Sequence, residues 1–156
     1  MSFEAELTRC PRPFNPERGA ETAALVHGVA PAISALIVGA TGSSPYLANL
    51  VAKEADWIAS AFDNPNSAVE TELAACLSCG YDVVGSRLRQ AKRRIALLTG
   101  LADLGGVWSL EEVTGTLSRF ADTATTAAIR ASIAQQIKRG KLPGQGINDI
   151  ETAGGM

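Results

Sequence analysis

The sequence predicts an all-α protein, a helical bundle with two long C-terminal helices and no sheet. Three observations lead to this prediction. Alanine is plentiful and aromatic residues make up only 5% of the chain, a composition that suits closely packed helices better than sheets. Apolar residues recur at steps of three and four through most of the sequence, as on one face of an α-helix. The strict alternation typical of half-buried strands is almost absent.

The composition fits one globular domain and argues against two classes of partner. A chain of 156 residues is long enough to bury roughly 70% of the surface that its unfolded form exposes. The formal charge of −2 gives no overall electrostatic case for nucleic acid. The apolar stretch 23–40 is too short and too interrupted to span a membrane. We therefore expect neither nucleic acid nor a membrane among the partners.

The predicted helices of the first half are marked by proline. Residues 1–14 are Pro-rich and are predicted to form an irregular N-terminal segment. Asn15 followed by Pro16 is a typical helix start, because the asparagine can cap and proline needs no N–H at the first position. That helix is expected to reach about His27, and a short one to run from Pro31 to Val38. A third helix, capped by Ser43 or Ser44 with Pro45 first, should end in DNPNS, residues 63–67.

Capping patterns define the second half. SAVE, residues 67–70, resembles a capping box and predicts a helix that ends before Gly80. A stripe of apolar residues then predicts a helix of about 20 residues that closes at Gly105 and Gly106. The stripe consists of Val84, Leu88, Ala91, Ile95, Leu98 and Ala102.

The strongest local signal is WSLEEV, residues 108–113. Ser109 and Glu112 form a capping box, and Trp108 can pack against Val113. The helix that starts here should run to Lys138 or Arg139, and the last segment, 141–156, has the Gly and Pro content of a linker. Residues expected to face inward on this helix are Leu110, Val113, Leu117, Phe120, Ala124, Ala128 and Ala131. We predict a helical domain over 15–140.

The stretch LIVGATGSSPYLANLV, residues 36–51, allows two interpretations. It could be a strand, a phosphate-binding GATGSS loop and a helix, as in a free-standing nucleotide-binding protein. It could also be two helices joined by a tight turn. Pro45 stands where a dinucleotide fingerprint has its third glycine, and residues 55–70 contain no second strand. Two helices are therefore predicted, and the nucleotide-binding protein is kept as the alternative function.

The segment RLRQAKRR, residues 87–94, concentrates positive charge. One interpretation is a docking surface for phosphate or an acidic partner. The other is a solvated helix face whose arginines pair with acids such as Glu111, Glu112 or Asp122. The residues available for docking are Arg87, Arg89, Lys92, Arg93 and Arg94.

No residue pattern predicts a catalytic, cofactor-binding or metal-binding site. Cys76 and Cys79 form a CxxC without the preceding strand of a redox motif, and only Cys10 and His27 could complete a zinc site. Cys76 and Cys79 are instead predicted to be two small apolar residues on one helix face, and His27 is predicted to be a core or capping residue. The acidic start MSFEAEL lacks a secretion signal, so the odd number of cysteines indicates a reducing cytoplasm. Asp149 and Glu151 lie in the predicted linker, without a scaffold for metal binding.

Two long segments resemble a known family. GSSPYLANLVAKEADWI (42–58) is similar to a G-N-S-P-[YF]-L-x-x-L segment of the bifunctional glutamine synthetase adenylyltransferase and adenylyl-removing enzyme. LRQAKRRIALLTGLADLGGVWSLEEVTGTLSRFADTA (88–124) is similar to a second segment, and FNPERG also resembles the family. The resemblance covers about residues 14–140. EAD, residues 54–56, replaces the usual proline-containing turn, so the helix there is expected to run on unbroken.

The resemblance implies an enzymatic activity for the parent protein, which the residue patterns alone do not. The family's enzymes add AMP from ATP to a tyrosine of glutamine synthetase and remove it by phosphorolysis, under control of PII proteins and glutamine. Each of their two catalytic domains uses G-S followed by D-x-D to hold Mg²⁺ and nucleotide. No D-x-D follows Gly42-Ser43 or Gly85-Ser86. The chain is therefore expected to be the non-catalytic helical region that precedes the adenylyl-removing domain, inactive alone, with ATP and Mg²⁺ bound elsewhere in the parent enzyme.

Overall fold

The computed structural model describes residues 3–153, and these residues form helices without any strand. The all-α prediction is confirmed, including the two long helices near the C-terminus. A short 3₁₀ turn spans Ile147–Asp149. The helices are α1 Phe3–Glu6, α2 Pro16–Ala23, α3 Pro31–Ser43, α4 Pro45–Ala61, α5 Pro65–Ser78, α6 Val84–Gly105, α7 Leu110–Lys138 and α8 Ile150–Ala153.

Helices α2 to α5 all begin with proline. In three of them the preceding residue caps the helix, because its side chain accepts a hydrogen bond from a backbone N–H of the first turn. These capping residues are Asn15, Ser44 and Asn64. The predicted capping box at 67–70 is therefore wrong, because Ser67 donates its N–H to Asn64 inside the first turn of α5. Helix α2 is shorter than predicted and α3 longer, since α3 continues through the two glycines to Ser43.

The hydrophobic core is contributed mainly by α3, α4 and α6. Every residue of the predicted α6 stripe is buried except Leu88, which is half-buried. The largest fully buried side chains include Leu36, Ile58 and Leu98, one from each of these helices. Burying a side chain of this kind stabilises the fold by about 1.5–3 kcal/mol, so the packing of these three helices is the main source of stability.

A sharp turn links α6 to α7. Gly106 has a left-handed backbone with φ of 66°, which a residue without Cβ adopts at little cost. The predicted capping box of α7 is confirmed, with Ser109 and Glu112 bonded reciprocally. The predicted inward face of α7 is only partly correct. Leu110 and Leu117 are exposed, and the residues that α7 buries are Ala127 and Ala134.

Side chains near both limits of the described residues are buried. Phe3 is fully buried and meets the Phe62 ring edge-on at 4.7 Å between centroids. Ile150 is also buried, on the one-turn helix α8. Residues 1–14 and 141–156 thus each contain a helical turn, and the division into segment, domain and linker stays a prediction. Within residues 3–153, no helix combines the length and the apolar character needed to cross a membrane.

Candidate functional site

The GATGSS stretch is a packing site for the N-terminal segment. Residues 8–15, here called the strap, cross the end of α3, and Asn15 donates its N–H to the Gly42 carbonyl. Ser43 accepts the Phe14 N–H and donates its hydroxyl to the Arg12 carbonyl. A Cβ at Gly39 would overlap the Pro11 carbonyl oxygen. The glycines therefore permit close approach of the strap, and the strand-and-phosphate-loop interpretation is wrong.

The basic segment 87–94 occupies the first turns of α6, where it faces α4 and α5. The five cations divide into two groups by exposure. Arg87, Arg93 and Arg94 are partly buried, whereas Arg89 and Lys92 are exposed. Three of the five charges are therefore turned toward the protein, which the helical pattern alone did not indicate.

Two buried glutamates receive these arginines. Glu54 comes from α4 and Glu72 from α5, and the side chain of each is only 3% exposed. A buried carboxylate without a partner is strongly destabilising, so each needs cations and hydrogen-bond donors around it. The arginines of α6 supply both, because a guanidinium donates several hydrogen bonds in a fixed plane.

All four carboxylate oxygens are occupied. Glu54 accepts from Arg93 Nε at 2.7 Å and from Arg94 Nε at 2.8 Å. Glu72 accepts from Arg87 Nη2 at 2.6 Å and from Arg94 Nη1 at 2.8 Å. Arg94 therefore bridges the two glutamates and joins α4, α5 and α6. We call these five residues the ionic cluster.

The surroundings of Arg94 stabilise its positively charged form. Burial alone lowers the pKa of Arg94, but the hydrogen bonds and negative charges of Glu54 and Glu72 outweigh it, so the pKa is raised. The guanidinium carbon also lies 5.3 Å from the centroid of the Trp57 ring, within the range of a cation–π interaction. Three cations and two anions leave the ionic cluster with one net positive charge.

A kink in α4 presents Glu54. The backbone of Glu54 is non-helical, with φ of −131° and ψ of 26°. The expectation that EAD lets the helix run on unbroken is thus wrong. The kink coincides with the residue whose carboxylate reaches both Arg93 and Arg94, so ion pairing accompanies the bend where no proline is present.

The predicted pairing of the arginines with acids of α7 is also wrong. Glu112 accepts the Ser109 N–H in the capping box instead. The actual partners are on α4 and α5, because these helices pack against the N-terminal half of α6. Arg119 of α7 pairs with Glu70 at the surface, where both side chains are exposed.

The remaining candidate residues are two cysteines, His27 and Glu151, and they lie outside the ionic cluster. Cys76 is buried and burial raises the pKa of its thiol, although the charge of Arg87 opposes this. Cys79 follows the end of α5 and is half-buried. His27 is exposed and lies three residues beyond Ala24, the C-cap of α2, so the core or capping prediction is wrong. Glu151 pairs with Arg130 at 2.8 Å. Residues 3–153 hold no group of three or more His, Cys, Asp or Glu side chains placed to bind a metal ion.

Sequence reasoning missed Glu54 and Glu72. The sequence analysis named Glu54 only as part of EAD, where the helix was expected to run on unbroken. A signal was present in the match between acidic residues on two mainly apolar helices, α4 and α5, and the basic segment of the helix that follows them. Without knowing which faces of α4, α5 and α6 meet, this match could not be assigned to particular pairs.

The fold and the site together define an all-α protein in which an ionic cluster joins three helices, while Arg89 and Lys92 of the basic segment remain exposed. Residues 26–152 match the model of the glutamate-ammonia ligase adenylyltransferase family, and the chain belongs to this family. It is 34% identical over 119 residues to a bifunctional glutamine synthetase adenylyltransferase/adenylyl-removing enzyme of Caulobacter vibrioides, covering 73% of this chain and 12% of that protein. The resemblance inferred from the sequence is confirmed.

Other relatives carry the same name. The protein of Agrobacterium fabrum is 32% identical over 130 residues, which is 77% of this chain and 13% of the relative. The protein of Xanthobacter autotrophicus is 29% identical over 160 residues, which is 98% of this chain and 16% of the relative. The chain thus spans 12–16% of the length of these relatives. No solved structure matches it.

Proposed function

We propose that the chain acts as the non-catalytic N-terminal helical segment of an enzyme that adenylylates and deadenylylates glutamine synthetase. The observation that carries this proposal is the family match over residues 26–152 combined with the small share of each relative that the chain covers. The segment would support the adenylyl-removing domain or dock glutamine synthetase or a PII signalling protein. The free cysteines are compatible with the reducing cytoplasm that we infer for it.

Among residues 3–153, the candidate side chains do not fit ATP or Mg²⁺. The two G-S pairs lie in helical segments, and Gly42 and Ser43 are bonded to the strap. The buried carboxylates of the ionic cluster have all their oxygens bonded to arginine. We therefore propose that nucleotide and magnesium are bound by other parts of the parent enzyme.

Docking is proposed for the solvent side of α6. Arg89 and Lys92 are the exposed cations of the basic segment, and the net positive charge of the ionic cluster lies beside them. Arg87, Arg93 and Arg94 hold the helix in place and add to the field. Such a surface favours an acidic patch on a partner and accelerates encounter at low salt. Glutamine synthetase and PII are the candidate partners.

The absence of catalysis can be tested with AMP-modified glutamine synthetase. The chain is supplied with phosphate, Mg²⁺ and PII protein, and AMP release is measured. We expect no release from the chain alone, and release when the same segment is part of a longer enzyme of the family. AMP release by the chain alone would contradict the non-catalytic assignment.

Docking can be tested separately by charge reversal. The double variant R89E/K92E is compared with R139E/K141E, which makes the same charge change beyond the end of α7. Binding to immobilised glutamine synthetase and PII is measured by biolayer interferometry at low and high salt. We expect the first variant alone to lose most of the low-salt binding. Equal effects of the two variants, or no binding by the unmodified chain, would refute docking at this surface.

A further inference from the structure

Two cysteines meet at the C-terminal end of α5, and the proposed function does not use them. Cys76 lies in the last turn of the helix, and Cys79 directly follows its final residue, Ser78. Three steps of an α-helix bring two Cα atoms to about 5 Å, within the range of roughly 4.4–6.8 Å found in disulfides. The Cys79 thiol also donates a hydrogen bond of 3.4 Å to the Cys76 carbonyl, so it is directed back toward the last turn.

The two thiols differ in their access to solvent. Cys76 is only 1% exposed, whereas Cys79 is half-buried. Burial raises the pKa of the Cys76 thiol; Arg87 opposes this, while the negative charges of Glu72 and Cys79 add to it. A small oxidant from solvent therefore reaches Cys79 first, and Cys76 is the neighbour that can react with the oxidised sulfur. One accessible and one resolving thiol is the arrangement typical of redox-sensitive pairs.

The end of α5 has the freedom to bring the two side chains together. Cβ atoms three residues apart on a helix are about 5–6 Å from each other, and a disulfide needs about 3.8 Å. Cys79 has an extended backbone with ψ of 157°. Among the described residues, no backbone carbonyl accepts its N–H. Cys79 can therefore move toward Cys76 without the loss of a helical hydrogen bond.

We propose that Cys76 and Cys79 form a redox modification site, at which hydrogen peroxide oxidises Cys79 and the pair then closes to a disulfide. The Cys79 sulfur attacks one peroxide oxygen, the O–O bond breaks, and a sulfenic acid forms while one water is released. The Cys76 sulfur then displaces the sulfenic oxygen. The S–S bond forms, the S–O bond breaks, and the oxygen leaves as a second water with the proton of the Cys76 thiol. The two sulfurs together lose the two electrons that the peroxide gains.

The site lies beside the ionic cluster. Cys76 follows Glu72 by one helical turn, and Glu72 pairs with Arg87 near the start of α6. Residues 79–83 connect the two helices, and the Val83 carbonyl accepts the N–H of Arg87. A disulfide would therefore fix the last turn of α5 and the start of the connection to the basic segment. A cytoplasmic thiol reductant would release it, as expected of a transient disulfide in a reducing compartment.

Intact-protein mass spectrometry tests the modification. In a background with the exposed Cys10 replaced by serine, the folded chain is treated with hydrogen peroxide and then with N-ethylmaleimide. We expect the loss of two hydrogens, no maleimide adduct, and full reversal by dithiothreitol. The matched control is S78C/C79S in the same background, which keeps two thiols but moves one to a position two residues from Cys76, on a different side of the helix. Circular dichroism checks that both proteins are helical before oxidation.

The control should add oxygen or form dimers without an internal disulfide. Sulfinic acid on Cys79 with Cys76 still reduced, no reaction at all, or an internal disulfide formed equally well by the control would overturn the proposal. Hydrogen exchange tests the closure of the last turn. Exchange over residues 76–83 should slow in the oxidised chain, while the capped start of α7 at 110–113 stays unchanged. Unchanged or faster exchange over 76–83 would contradict the proposed closure.

Discussion

Replacing Glu72 with glutamine tests the energetic role of the ionic cluster. The substitution keeps the shape of the side chain but removes the charge that holds Arg87 at 2.6 Å and Arg94 at 2.8 Å. Breaking a buried ion pair costs about 3–5 kcal/mol. Glutamine keeps one acceptor oxygen and the arginines retain some contact with water, so we expect a loss of about 3 kcal/mol.

The matched control is Glu70→Gln on the same helix. Glu70 pairs with Arg119, but their side chains are 61% and 50% exposed, and an exposed pair contributes less than about 1 kcal/mol. Thermal unfolding followed by circular dichroism should therefore show a fall of about 10 °C for E72Q and of a few degrees at most for E70Q. Equal falls for the two variants would refute the assignment of the ionic cluster as a stabilising element.

Three further predictions follow from particular contacts. Arg94→Lys should destabilise the fold by about 2 kcal/mol in urea unfolding, because a single ammonium cannot replace the two-sided bridge to Glu54 and Glu72; full stability would contradict that role. Gly39→Ala should cost about 1–3 kcal/mol through overlap with the strap, whereas Gly115→Ala, which meets open space on α7, should stabilise by about 0.5–1 kcal/mol; the reverse order would exclude the strap contact. Since burial raises the pKa of Cys76, the unfolded thiol loses its proton first as pH rises, so the free energy of unfolding should fall above the ordinary thiol pKa, and a Cys76→Ala variant should lack this part of the fall.

The sequence predicted the helices well where the signal was local. Ser109 and Glu112 are close in sequence and their capping box depends on no distant contact. The α6 stripe was also correct, because a periodic apolar face indicates burial whatever covers it. Errors arose where two local signals competed, as at Asn64 and Ser67, both of which can cap a helix. Asn64 prevailed because Pro65 follows it and fixes the first helical residue.

Tertiary contacts explain the remaining errors. Gly39 and Gly42 were taken as a possible turn because isolated glycines weaken a helix. They lie within α3, and their missing Cβ atoms leave the space in which the strap, more than 20 residues earlier in the chain, crosses the helix. Leu110 and Leu117 were predicted to be buried because they are apolar and correctly spaced. A pattern of this kind identifies a packing face but not whether the same chain supplies the surface that covers it.

The division of the basic segment into two groups changes how its function must be tested. Substitutions at Arg87, Arg93 or Arg94 remove a partner from Glu54 or Glu72, so any loss of binding would be mixed with a loss of fold. Arg89 and Lys92 have exposed side chains that the ionic cluster does not use. Charge reversal there changes the surface field while the bonds between α4, α5 and α6 remain. A scan of all five cations as one patch would therefore assign to docking an effect that belongs to folding, and only Arg89 and Lys92 separate the two.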